Sequence, residues 1–125
     1  MIAENKVSLW LGCFENEQVF REYICESYDK DGNYVLSDFQ KDFSIMRYDF
    51  DSVESDWFSH SFTDTESLLS GFSGDFVIIP QFSKMLQDTQ IERFNSILLL
   101  YNYEYTGDLR FGGNLEYIGC ADIDI

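Results

Sequence analysis

The sequence predicts an α+β fold: a small antiparallel or mixed sheet with a C-terminal β-meander and helices packed on one face. Three patterns lead there. Residues 7–13 alternate, with Val7, Leu9, Leu11 and Cys13 on one side and Ser8, Trp10 and Gly12 on the other, which is the period of a strand. Val19, Phe20, Tyr23 and Ile24 then form one stripe of a helix, with Glu15, Glu17, Arg21, Glu22 and Glu26 on its wet face. Residues 97–105 alternate again, Ile97, Leu99, Tyr101, Tyr103 and Tyr105 against Leu98, Leu100, Asn102 and Glu104. Strands at both ends with helices between them indicate segregated α and β elements.

In chain order, the first strand carries Trp10 on its second face, so cover on both sides is expected. Asn16 is placed to cap the first helix, and residues 28–34 form a turn. Ser37 with Gln40 three residues on reads as a capping box opening a short helix. A short strand is expected at 45–50, followed by irregular structure at 51–62. Thr63 or Asp64 caps a helix through Leu68, Leu69 and Phe72, ended by Gly71 or Gly74. Residues 76–79 fit either a short buried strand or the first helical turn before Pro80, and 81–87 read as helix. Turns at Thr106-Gly107-Asp108 and Gly112-Gly113-Asn114 separate the late strands, the last of which covers 115–120.

One domain spanning residues 1–125 is expected from length. Hydrophobic residues at 45% argue against disorder. The 23 acids outnumber 8 bases, leaving a net charge of −15. That field disfavours binding to nucleic-acid phosphates or an anionic membrane, and favours rapid capture of a cationic partner. No signal-peptide pattern opens the sequence, and the apolar run 97–101 is too short to cross a bilayer. Cys13, Cys25 and Cys120 are an odd number without CxxC spacing, which suits reduced thiols. The expected location is therefore the cytoplasm.

Groups for catalysis or metal binding are sparse, and no catalytic residue, metal or cofactor is expected. Asp29, Asp31 and Asn33 match the first ligands of an EF-hand loop. Tyr34 then stands where the loop needs Gly, and Gln40 where it needs a bidentate Glu. A degenerate calcium module using Asp29, Asp31 and Asn33 is the first rival reading. His60, the only histidine, lies between Ser59 and Ser61, so a small hydrolase around it is the second. No GxSxG, HExxH or phosphate-cradling glycine loop accompanies His60.

The most informative stretch is 48–83, which contains no Lys or Arg. Its acids are interleaved with aromatic residues, and from about Leu68 onward it supplies core helix. The first part is where acids and aromatics share a face: Tyr48, Asp49, Phe50, Asp51, Glu54, Asp56 and Trp57 are the candidate partner-binding residues. Trp57, beside Asp56, is the favoured anchor because Trp is enriched at interface hot spots.

Several words of the sequence carry a resemblance. Trp10-Leu11-Gly12, Tyr28-Asp29 with Gly32-Asn33-Tyr34, Ser37-Asp38-Phe39 and Asp42-Phe43 resemble the immunity protein 22 family. So do Tyr48-Asp49 with Asp51 and Glu54, and the run Leu100-Tyr101-Asn102-Tyr103-Glu104-Tyr105. The likeness runs in order from the first strand to the meander. It implies a small bacterial α+β immunity protein of polymorphic-toxin and contact-dependent-inhibition systems, encoded beside a toxin that it neutralises by binding. The expectation is thus a non-enzymatic antitoxin whose partner is a cognate basic protein toxin, a nuclease being the best fit to an acidic surface. Neither nucleic acid nor membrane is expected as a direct partner, and no feature demands a particular oligomeric state.

Overall fold

A computed structural model describes residues 2–46, 48 and 50–123, the side chain of Phe50 excepted. The strands are β1 (Ile2–Gly12), β2 (Ser27–Tyr28), β3 (Tyr34–Val35), β4 (Val53–Trp57), β5 (Ser96–Tyr103), β6 (Phe111–Gly112) and β7 (Leu115–Asp122). The helices are α1 (Glu17–Ile24), α2 (Asp38–Phe43), α3 (Thr65–Leu69) and α4 (Asp75–Leu86). Five strands make one sheet in the order β4-β5-β1-β7-β6, and every pairing is antiparallel. The α+β class, the antiparallel sheet and the two late strands agree with the sequence reading.

Helices do not keep to one face, and here the sequence expectation is corrected. Both phases of β1 and β5 are apolar and buried: Val7, Leu9, Leu11, Ile97 and Leu99 on one side, Trp10, Leu98 and Leu100 on the other. A sheet apolar on both faces must be covered on both. Leu68 and Leu69 of α3, with Ile78, Phe82 and Leu86 of α4, cover the first face. Phe20 of α1 and Phe39 and Phe43 of α2 cover the second. There Trp10 is wholly buried among the rings of Phe39, Phe43, Tyr105 and Tyr117, at centroid distances of 5.0–5.8 Å.

The C-terminal strands refine the meander. Of the three C-terminal strands, β6 and β7 are neighbours in the sheet, while β1 lies between β5 and β7. The chain leaving β5 crosses β1 on the second face, where the buried Ser8 hydroxyl donates to the Tyr103 carbonyl at 2.8 Å and accepts from the Tyr105 N–H at 3.1 Å. This single hydroxyl satisfies two backbone groups that the crossing would otherwise bury unpaired. The β6–β7 hairpin closes through Gly113-Asn114. Gly113 has φ 55° and lies so close to Tyr23 that a Cβ would approach its Oη to 2.8 Å.

Local capping signals fold as read. Asn16 accepts from the Val19 N–H at 2.9 Å, Ser37 and Gln40 form a reciprocal capping box, and Asp64 caps α3. Residues 76–79 are helix: α4 starts after Gly74, whose φ of 69° puts it in the left-handed region, and it continues through Pro80. The strand expected at 45–50 does not form among the described residues. Ile45 instead buries itself after α2, with its N–H bonded to the Gln40 carbonyl at 2.8 Å. The strand forms at Val53–Trp57, in the part read as irregular. Only two of its five residues are apolar, and pairing with β5 supplies what local propensity lacks.

Candidate functional site

Strand β4 is one outer strand of the sheet, bonded to β5 on one side. Its register against Leu100, Leu98 and Ser96 puts Val53, Ser55 and Trp57 on the face covered by α1 and α2. Glu54 and Asp56, opposite Leu99 and Ile97, take the other face. Together with exposed Asp51 in the short 3-10 turn before it, β4 brings three of the predicted acids onto one sheet edge.

Each strand carboxylate is positioned by specific donors. Glu54 receives the Ser73 hydroxyl at 2.6 Å and the Ser73 N–H at 2.8 Å, from the turn between α3 and α4. Burial opposes its charge, but these bonds, with the Tyr101 hydroxyl adjacent, outweigh that and hold the carboxyl below the usual glutamate range. Asp56 accepts the Trp57 N–H at 2.9 Å and lies 3.8 Å from Arg21, whose other nitrogen donates to Ser55 Oγ at 2.7 Å. Ser73 and Arg21 were not legible as parts of this edge. They lie 19 and 34 residues from Glu54 and Ser55, and no local spacing connects them.

The aromatic residues are set differently. Trp57 is half-buried, packs on the second core and donates its indole N–H to the Phe14 carbonyl at 3.1 Å. Tyr48 is half-buried against Phe39 at a ring distance of 6.4 Å, and burial raises its hydroxyl pKa. Phe50 contributes backbone to the 3-10 turn, and Asp49 lies outside the described residues.

A depressed carboxyl has a defined consequence. The stabilisation from Glu54 is complete above the ordinary glutamate pKa of about 4.3 and is lost as pH falls through its lower folded value. Glu54→Gln is therefore expected to lower stability near neutrality and to converge on wild type in acid, flattening the acid limb of stability against pH. Urea titrations at a series of pH values would show it, and parallel curves would count against the Ser73 bonds.

The loop with Asp29, Asp31 and Asn33 is a β2–β3 hairpin turn. Asp29 Oδ1 accepts the N–H groups of Asp31 and Asn33, both at 2.9 Å, and Oδ2 accepts from the Asn33 side-chain amide at 3.4 Å, so the carboxylate is turned onto its own loop. Gln40 is buried and engaged with the Ser37 N–H and the Tyr34 hydroxyl. Among the described residues, no group of three His, Cys, Asp or Glu side chains is placed to hold a metal ion. His60 is exposed, with Nδ1 3.2 Å from the Ser61 carbonyl. Cys13 and Cys25 are exposed, Cys120 is half-buried, and all three are free thiols. No helix among the described residues is long and apolar enough to cross a membrane.

In comparison with known families, a family model described as Immunity protein 22 matches residues 7–124. No curated protein and no solved structure matches the chain.

Proposed function

The chain belongs to the immunity protein 22 family, and from that premise we propose that it neutralises its toxin without catalysis, by docking the acidic β4 edge onto a basic surface. The family brings a toxin-neutralising role and a cognate toxin as partner. The finer reading is ours: the toxin is a nuclease, the complex forms in the cytoplasm, and Asp51, Glu54 and Asp56 pair with the cations that would hold substrate phosphates.

One observation carries this reading. Three acids of the base-free stretch stand together at one sheet edge, Asp51 in the turn before β4 and Glu54 and Asp56 on it, and the last two are already held in place by Ser73 and by the Trp57 N–H. Pinned carboxylates lose less conformational freedom on binding than free ones, so their charge is delivered at lower entropic cost. The surrounding field of −15 adds long-range attraction for a basic partner. The exposed half of Trp57, with Tyr48, Asp49 and Phe50 nearby in sequence, completes the proposed surface.

Co-expression with the toxin encoded beside it tests the role directly. Rescue of growth and co-purification of the two proteins are expected. A toxin that stays lethal and elutes alone would end this reading.

A further inference from the structure

Two of the chain's 8 bases converge on a single buried carboxylate. Glu116, near the start of β7, has a side chain only 4% exposed. Its Oε1 accepts from Arg93 Nη2 at 3.2 Å, and its Oε2 accepts from Arg110 Nε at 2.9 Å and forms an ion pair with Arg110 Nη2 at 2.8 Å. Arg93 also donates Nε to the Gln90 carbonyl at 3.4 Å and lies over the Phe94 ring at 4.7 Å.

One glutamate balances one guanidinium, so the trio holds a surplus positive charge. Each guanidinium has five N–H donors. Each uses only part of that set on the fold, and both side chains remain substantially exposed. They border an open depression of about 670 Å³, walled also by Asp88, Thr89, Gln90 and Phe111. Asp88 forms no ion pair with either arginine among the described residues. Phe111, 63% exposed, gives the depression an apolar wall. Exposed aromatic surface beside a rigidly held arginine is the composition of an interface hot spot.

We propose that Arg93 and Arg110, held by Glu116, receive an acidic side chain of the bound protein partner, with Phe111 packing beside it. The proposal rests on the toxin-binding reading and adds a second contact to it. The net charge of −15 weakens the capture of free anions without abolishing it, so tight occupancy of this pair is best supplied by a carboxylate on a partner already attracted elsewhere. The fold provides that elsewhere. Trp57 pairs with Ser96, Ser96 with Gly12 and Gly12 with Leu115, so the end of β4 and the arginine pair share one end of the sheet. At the usual strand spacing the two outer strands lie about 19 Å apart. A typical interface of about 800 Å² per partner is wide enough to cover both. An acidic pole and a cationic pole on one docking face set the partner's orientation, which acid alone does not do.

Two measurements test this. In the first, arginine Nε–H resonances are followed by NMR as succinate replaces chloride at constant ionic strength. Selective shifts of Arg93 and Arg110, with Arg21 unmoved, are expected; equal or absent shifts would overturn the carboxylate site. In the second, the variant R93Q/R110Q/E116Q, in which the buried charge is removed with its partners, is compared with wild type for binding the co-expressed toxin. Its melting temperature reports that the fold is kept. The complex is expected to dissociate about thirtyfold faster or more. Toxin binding at wild-type affinity by this folded variant would overturn the second contact and leave the acidic edge standing. Failure of the wild-type chain to bind the toxin would instead overturn the toxin-binding reading, and the partner assignment with it.

Discussion

Changing Asp51 and Asp56 together to Lys is expected to slow capture of the toxin by about ten- to a hundredfold, with the larger loss at low salt. Both acids lie at the outer edge of the sheet, Asp51 exposed in the turn and Asp56 half-exposed on β4. Reversing them adds like charge where the partner is proposed to be basic. Glu54 is left in place because its bonds to Ser73 tie the edge to the turn before α4, and a lysine there would confuse folding with binding. The dissociation rate should change less, since partly exposed charges act mainly on encounter. Stopped-flow association at several ionic strengths reads both quantities. A double variant that associates at the wild-type rate at every salt concentration would remove the acidic edge from the mechanism.

Trp10→Ala is expected to destabilise the fold by about 3–5 kcal/mol, the range for deleting a large aromatic side chain from a core. Against the 5–15 kcal/mol of a typical domain, that is a large share, and a fall in Tm of about 10–20 °C should follow. The reason lies in position. Trp10 is wholly buried on the central strand and touches rings from α2, the crossing segment and β7, so it joins three separate pieces of the second face. Trp10→Phe is the informative companion. The indole N–H has no acceptor among the described residues, so phenylalanine gives up ring volume but no hydrogen bond. Its expected cost is about 1–2 kcal/mol. If both variants melted together, the ring contacts would not be what holds this layer.

Much of the fold was legible because its causes are local. Asn16, Ser37 with Gln40, and Asp64 each meet their partner within three residues, so spacing alone reveals the cap. The turn at Gly113-Asn114 was legible for the same reason. Residues 76–79 were ambiguous because a short apolar run suits either strand or helix; their packing under the first face as part of α4 decided it. Strand β4 was missed because Val-Glu-Ser-Asp-Trp has little intrinsic strand character and its hydrogen-bonding partner lies some forty residues further on.

The candidate site divides in the same way. That 48–57 combines acid with aromatic residues is written in the sequence, and so is the family resemblance. That Glu54 is held by Ser73, that Arg21 stands over Ser55, and that Trp57 and Tyr48 turn partly inward depends on which elements pack beside β4. The arginine pair on Glu116 had no sequence signal, since its members come from a 3-10 turn, a loop and a strand.

By itself, then, the sequence determined the class, the caps, most elements and the sign of the field, because composition and contacts over a few residues set them. Only the tertiary structure decided that helices cover both faces, that β1 separates β5 from β7, and which acids share an edge. Those outcomes depend on long-range pairing, where the burial of one segment is set by surfaces supplied from distant parts of the chain.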